Sequence, residues 1–486
     1  MSMEFSFPLK LFVDGAWRDA ASGRTEPVVN PASGAAFARV AWGGEPDAQA
    51  AVSAAAKAFP AWSATPAPAR GDTVKRIAAL LTQDRERLAP ILTREQGKPL
   101  AQALGEVDYS ASFFQWFGEE ARRLCPRSVP HADPAKASWV EPRAAGVVGA
   151  ITPWNFPLAQ AAKKVSAALA AGCCVVLKPA PATPLMALAL AWVAQRAGLP
   201  PGVLSVVPGD AEPIGRVLLD RAEVRVISFT GSVRVGAWLA SEAGRRLKRV
   251  TLELGGNAPF CVLADADLDL AAEDLVRLKL MVSGQVCVTA NRVFVHSSRM
   301  EAFRAKLVER LRGTKVGDGL AAGVQAGPLI NAAAVAKVKG IVEDALAQGA
   351  RVAWQADLSF LPADLKGGFF YPPTVLDGVT DAMRAAREEV FGPVFSLMAF
   401  EDEEELVRRA NATEYGLAGY VYTRDLARGF ALARRIEVGI AGVNDMRPLR
   451  AEVPFGGIKG SGQGREGGAE GLAEYLEARV IGARIA

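Results

Sequence analysis

Histidine is nearly missing from this chain of 486 residues: only His131 and His296 carry an imidazole. A hydrolase built on a thiol or hydroxyl nucleophile needs such a base beside it, so that class has two positions at most to draw on. Cysteine is also sparse, with five residues, two of them the adjacent Cys173 and Cys174. Their spacing makes neither a disulfide scaffold nor a zinc site, no metal is expected, and a reduced, cytoplasmic setting is the expectation. Charge of one sign is not concentrated anywhere. The formal net charge is +4, spread without a long basic run, which leaves no electrostatic footprint for nucleic acid or an anionic membrane. No apolar run approaches the ~18–20 residues of a membrane span. The richest stretch, 159–176, is broken by Lys163 and Lys164. The opening MSMEFSFPLK lacks a basic region followed by an apolar one, so no signal peptide is expected. Internal repeats and low-complexity linkers are absent as well.

What is present is apolar and periodic. Half of the residues are hydrophobic, enough for two or three cores and hence for more than one domain. From about Ala144 the pattern alternates: AAGVVGAIT, CCVVLKP, VLSVVPG and VRVISFTGS read as strands. Between and after them QAAKKVSAALAAG, TPLMALALAWVAQRAG, AEPIGRVLLDR and VRVGAWLASEAG read as helices. Short apolar runs alternating with periodic helices imply α/β, a parallel sheet wrapped by helices. Helical stretches are expected over 47–59 and 72–96, with Gly97, Lys98 and Pro99 ending the second. A second α/β block is expected from Leu254, with helices over 268–280 and 300–311 and the glycine-proline loops GDG, AGPL and FGPV. The closing AEYLEARVIGARIA reads as an apolar strand, whose edge would stay unpaired unless another subunit covered it.

GQVCVTANR places Cys287 between two valines, and by itself does not separate a buried filler from a reacting thiol. Four further segments bear on it. TPWNFP follows a strand, where ligands bind in open α/β sheets, and holds Asn155 in a proline-stiffened loop; a plain structural turn is the alternative. VVLKPA ends a strand with Lys178, able to reach a ribose hydroxyl or phosphate, or simply solvated. FTGSVRVG is a strand, a glycine turn and a helix start, which favours phosphate through free N–H groups and adds the Ser232 hydroxyl. LELGGNAPF sets Glu253 between leucines; burial there would raise its pKa toward that of a general base, whereas an alternating strand would turn it to water.

Together these segments supply a thiol, an amide donor, a carboxylate and a dinucleotide cradle. In order and spacing they resemble the aldehyde dehydrogenase superfamily, and EEVFGP and PFGGIKGSGQGREGG extend the likeness over nearly the whole chain. GDGL, GREG and EYLE carry a closer resemblance to the succinate-semialdehyde dehydrogenase group. The resemblance implies a doubly wound cofactor domain (1–126 and 147–253), a second α/β catalytic domain (254–440), and oligomerisation strands (127–146 and 470–486). The hairpin would pair with the C-terminal strand across a dimer interface, in a homodimer or homotetramer.

It further implies NAD(P)-dependent oxidation of a small aldehyde to an acid. Cys287 would attack the carbonyl carbon, with Asn155 and the Cys287 backbone N–H stabilising the oxyanion. Hydride loss to the nicotinamide would leave a thioester, and Glu253 would activate the hydrolytic water. A thiol whose electrophile is an aldehyde needs no histidine. Lys164 matches a basic catalytic position. The cofactor, NAD or NADP, would meet Ile151, Thr152, Pro153 and Trp154, then Lys178, Pro179, Ala180 and Pro181. Gly231, Ser232, Gly236 and Leu254 continue that surface, and Glu389 and Phe391 would hold the nicotinamide ribose and ring. Pro181 stands where NAD-preferring members often have a Glu, so NADP is permitted. Glu466 has two readings, a proton relay or a surface ion pair.

The substrate positions depart from the semialdehyde pattern. Lys163 and Met281 stand where arginines usually hold the carboxylate, and Leu449 where a serine does. Val286 and Arg450 complete the expected pocket, with Arg447 and Arg450 as compensating charges in the Leu449 loop. Thr289 replaces the second cysteine of a redox switch. The substrate is therefore expected to be succinic semialdehyde or a related semialdehyde, or else an uncharged aliphatic or aromatic aldehyde. A CoA-acylating relative usually lacks the glutamate at 253, a structural descendant would have lost the thiol or cofactor loops, and a thiol hydrolase would need His131 or His296 beside Cys287.

Overall fold

The strand Val147–Ile151 lies at the centre of an eight-stranded sheet, paired in parallel with Cys174–Lys178 on one side and Val224–Thr230 on the other. From the first neighbour the sheet continues to Leu204–Val206, from the second to Arg249–Glu253. The chain thus winds outward one way, returns to the middle and winds out the other way. The reversal leaves a crevice at the carboxyl ends of Val147–Ile151 and Val224–Thr230, where a doubly wound sheet binds its ligands. Antiparallel strands close both edges: Leu11–Val13 and Ala16–Arg18 at one, Gly462–Gln463 at the other. The computed structural model describes residues 5–485, so residues 1–4 of the expected cofactor unit and Ala486 of the expected terminal strand lie outside the described residues.

These central strands are apolar without alternation because helices cover both faces. Pro157–Ala171 is buried at every position and ends at Gly172, which takes a left-handed conformation. A second sheet of seven strands has Ala258–Val262, Ala290–His296 and Val394–Phe400 side by side in parallel, with Arg351–Gln355 antiparallel at one edge. A third sheet, of three strands, joins Arg127–Val129, Lys136–Ala144 and Leu476–Arg484. The α/β architecture, with a doubly wound sheet, a second α/β unit and a small β hairpin, is the one expected.

Two expectations change, and one helix is added. The terminal strand pairs along its whole length with Lys136–Ala144 of its own chain, from Leu476 opposite Ala144 to Arg484 opposite Lys136. The hairpin and terminal strand therefore meet within one subunit, and the open edge is the far side of Leu476–Arg484. The helical stretch 72–96 is two helices, Ala67–Gln83 and Arg85–Gln96, because Asp84 leaves helical geometry and is held by Arg196 and Arg87. Leu100–Glu120, a 21-residue helix, was not read from the sequence at all. Its alanines, glycines and phenylalanines blur the apolar stripe, and it forms because it packs against Ala67–Gln83 and Pro157–Ala171.

Candidate active site

The loop 152–156 leaves the central strand at the crevice and enters the helix Pro157–Ala171 with Pro157 in its first position. Asn155 is buried. Its Nδ2 donates to the Gln285 carbonyl at 3.0 Å, and its own carbonyl accepts from Lys98 Nζ at 2.8 Å. From the second unit comes the turn that presents Cys287. Val282 and Ser283 have φ of 49° and 53°, and Gly284 follows at 76°. A β-branched residue in left-handed geometry is a genuine outlier, and each such residue costs ~1–3 kcal/mol unless its surroundings impose it. A Cβ on Gly284 would lie 2.2 Å from the Gly392 carbonyl oxygen, so glycine is required there twice over.

Cys287 lines two cavities that meet at its side chain. The larger, about 290 Å³, runs into the crevice past Trp154, Ser232 and Leu254 and is floored by Glu389 and Phe391. Pro153, Asn155 and Gly231 also face it. The smaller, about 100 Å³, takes in Lys163, Met281, Val286 and Leu449. Gln160 faces both, and Tyr109, Met446 and Phe455 face the smaller one. None of these four was singled out in the sequence, since nothing local distinguishes a cavity-lining aromatic from a core one. Arg447 lines the smaller cavity as well; Arg450 is exposed and does not, which corrects its expected place in the pocket.

Burial dominates the electrostatics. The Cys287 thiol is pushed up to about 12, first by burial and then by the carboxylates Glu389 and Glu253, against the pull of Lys163. Glu253 ends the strand Arg249–Glu253, is 1% exposed, and neither carboxylate oxygen has a hydrogen-bond partner among the described residues. Burial, then Glu466, holds its pKa well above the usual carboxylate range. The water-facing alternative for Glu253 therefore falls. Glu389 is raised to about 7, again by burial, although one oxygen accepts from the Gly256 N–H at 3.0 Å.

Lys164, fully buried, donates to Thr230 Oγ1 at 2.8 Å and pairs with Glu466. Glu466 is 3% exposed, so the surface ion pair considered for it is instead an interior one. Lys163 Nζ sits 3.7 Å from the Phe455 ring centre and 3.9 Å from Glu466. Burial opposes its charge, but Tyr109, Glu466, Cys287 and Glu253 together raise its pKa above the ordinary value.

Lys178 ends its strand buried rather than solvated, with no side-chain hydrogen bond among the described residues, and burial lowers it to about 8. A buried cation without a partner costs free energy, which fits a site that receives an anionic or hydroxyl-bearing group. Ile151, Thr152, Pro179 and Ala180 surround that strand end without lining the larger cavity, and Pro181 is exposed. Ser232 caps the helix Val233–Gly244, its hydroxyl accepting from the Val235 N–H at 3.4 Å. Gly236, one turn in, lies against Leu254.

His131 is exposed and bonded to the Asp133 N–H, and His296 packs edge-on against Phe400 at the far end of its strand. Neither faces Cys287, so the histidine-assisted thiol hydrolase is set aside. Among the described residues no cluster could hold a metal ion, and no helix is long and apolar enough to cross a membrane.

A thiol where the crevice of a doubly wound sheet meets a smaller cavity suits an enzyme that brings a nucleotide cofactor to a small substrate. The chain belongs to the aldehyde dehydrogenase family, whose sequence pattern matches residues 17–481. It is 46% identical to the 3-sulfolactaldehyde dehydrogenase of Pseudomonas putida over 97% of this chain and 96% of that one. It is 45% identical to the glutarate-semialdehyde dehydrogenase of Pseudomonas aeruginosa (98% and 97% covered). With the NADP(+) succinate-semialdehyde dehydrogenase of Escherichia coli it shares 44% (98% of each). The crystal structure of succinate-semialdehyde dehydrogenase from Burkholderia pseudomallei matches with a TM-score of 0.96 at 44% identity, covering all of both chains. That of betaine aldehyde dehydrogenase from Staphylococcus aureus in complex with NAD+ matches at 0.95 and 34%, over 99% and 95%. The protein is accordingly an oxidoreductase acting on aldehydes with NAD or NADP.

Proposed function

We propose that this enzyme oxidises a short aldehyde carrying a distal anionic group, a semialdehyde or close analogue, to the corresponding acid. The observation that carries the reading is Cys287 at the meeting of the two cavities, with Arg447 and Lys163 on the wall of the smaller one. Lys163 is already engaged by Glu466, so Arg447 is the cation left for a substrate anion. The relatives named for sulfolactaldehyde, glutarate semialdehyde and succinate semialdehyde all take aldehydes with a distal anion, which supports the class without choosing a member. Uncharged aldehydes form the second reading, favoured by Met281 and Leu449 where polar anchors are usual.

In this mechanism the Cys287 thiol gives up its proton to solvent and Sγ bonds to the carbonyl carbon, while Asn155 Nδ2 and the Cys287 N–H receive the developing oxyanion. Trp154, Glu389 and Phe391 would hold the nicotinamide end, Ser232 the pyrophosphate, and Lys178 the adenosine ribose. When bound, the cofactor would supply the hydride acceptor, so that hydride loss from the Cys287 adduct would leave a thioester on Cys287. Glu253, whose two oxygens accept no hydrogen bond among the described residues, takes the proton of the water that hydrolyses it, aided by the neighbouring charge of Lys164 and Glu466. Pro181 places no negative charge against a 2′-phosphate, so NADP is accepted. We also propose the unit boundaries and reducing cytoplasmic setting expected above, and assembly through the open edge of Leu476–Arg484, where Val480 and Ile481 are 68% and 36% exposed. A panel of anionic and uncharged aldehydes, assayed with each cofactor by reduced-nicotinamide absorbance, tests the substrate reading. A higher kcat/KM for uncharged aldehydes would reject it.

A further inference from the structure

The two donors and nucleophile that must meet one carbonyl sit on different units, and the turn before Cys287 is strained. Strained backbone persists only where its surroundings over-determine it. Part of the restraint is local: Gln285 Nε2 donates to the Val282 carbonyl at 2.9 Å, and Ser283 Oγ to the Gly327 carbonyl at 2.8 Å. The rest comes from the first unit. Gln102 Oε1 accepts from the Val282 N–H at 2.8 Å, while its Nε2 faces the Leu280 and Gln325 carbonyls at 3.5 and 3.4 Å.

Gln102 stands four residues after Lys98 and four before Glu106, and Gln102 and Glu106 lie on one face of the helix Leu100–Glu120. Lys98 Nζ holds the Asn155 carbonyl and pairs with Glu106, whose other oxygen accepts from the Leu158 and Ala159 N–H groups at 2.9 and 3.1 Å. One short segment therefore holds the Asn155 loop and the helix start after it from both ends, through Lys98 and Glu106, and the nucleophile turn from its middle, through Gln102. The Asn155 Nδ2 bond to the Gln285 carbonyl closes the loop between them.

We propose that Gln102 is a positioning residue for aldehyde oxidation: with Lys98 it clamps the turn Met281–Gly284 and the Asn155 loop in register, so that sulfur and oxyanion donor address the same carbonyl. Gln102 touches neither cavity and acts only through the backbone it holds. The inference rests on the roles proposed for Cys287 and Asn155. Gln102 is half-buried, whereas Lys98 is fully buried against Glu106, so Gln102 is the position to vary.

The full-length enzyme carrying Gln102→Leu is compared with Gln102→Glu, whose carboxylate still accepts from the Val282 N–H but cannot donate to Leu280 or Gln325. Gln102→Met serves as a second apolar variant should the leucine protein fold poorly. A misplacement of ~1 Å at the reacting groups costs on the order of 100-fold in rate, so kcat of the apolar variants falls by about 10- to 100-fold. KM for aldehyde and cofactor moves less than about twofold, because Gln102 lines neither site. Gln102→Glu recovers most of kcat. A role in stability alone would lower Tm in the apolar variants while leaving kcat below that temperature unchanged, and this result overturns the proposal. Equal loss in the glutamate and leucine proteins overturns it too, since the Val282 bond would then be irrelevant. Failure of the underlying reading looks different: Cys287→Ser would keep full activity whatever stands at 102.

Discussion

Asn155 Nδ2 and the Gln285 carbonyl, one from each α/β unit, are joined by a hydrogen bond of 3.0 Å two residues before the nucleophile. The amide that would meet the oxyanion is thereby indexed to the backbone that carries the sulfur. Asn155→Ala removes both the donor and the index. Loss of one oxyanion donor costs ~10²–10³ in turnover, so kcat should fall by about that factor with KM nearly unchanged in steady-state kinetics.

Cys287 and Glu253 serve separate half-reactions in the proposed mechanism. Cys287→Ala should abolish aldehyde oxidation. Glu253→Gln should still form the thioester but hydrolyse it slowly, so intact-protein mass spectrometry after mixing with aldehyde and cofactor should find an acyl adduct. A glutamine variant that turns over at the wild-type rate would remove Glu253 from the chemistry.

Burial and the nearby Glu389 and Glu253 favour the neutral thiol of Cys287, raising its pKa to about 12. The reactive thiolate therefore becomes about tenfold more abundant per pH unit over the whole range below that value. Alkylation of Cys287 by iodoacetamide in the cofactor-free enzyme should rise with a log slope near one from about pH 6 to about pH 9. A plateau near neutral pH would contradict a thiol pKa raised to about 12.

Lys178 has its pKa lowered to about 8 by burial, with Asp210 opposing the shift. Lowering means that its positive charge is present below that pH and disappears above it. KM for NADP should therefore climb as pH rises through about 8, and more steeply than KM for NAD if the charge helps hold the phosphorylated ribose. Lys178→Met should raise both constants and flatten the dependence, read from initial rates at fixed aldehyde.

Arg447 is exposed at the wall of the small cavity and makes no ion pair among the described residues. Arg447→Leu should lower kcat/KM for succinic semialdehyde by roughly tenfold, about the worth of one partly solvated charge-assisted contact, and leave an uncharged aldehyde of equal length unchanged. An equal change for both substrates would place Arg447 outside the anion site.

The parallel sheet, the helix stop at Gly172 and the strand, glycine turn and helix around Gly231 were legible from residue patterns, and Cys287, Glu253 and Asn155 were singled out from theirs. They are local signals: apolar runs, glycine stops, and polar atoms stranded in apolar company. Leu100–Glu120 was not legible, because its helix is specified by packing against two others more than by its own periodicity. Arg450 was chosen over Arg447 for the cavity because neighbours in a loop cannot be ranked by direction without knowing how the loop folds.

Residue order alone showed a carboxylate in an apolar strand, an amide in a proline-stiffened loop after one, a glycine turn leading into a helix and a thiol in an apolar segment, since backbone periodicity and turn chemistry act over a few residues. Only the tertiary structure decided that Glu253 has no hydrogen-bond partner among the described residues, that Glu466 lies inside beside Lys164, and that Gln102 reaches Val282 across the units. Those outcomes depend on which side chains share a buried volume, and burial is a property of the packed molecule that no short stretch of chain contains.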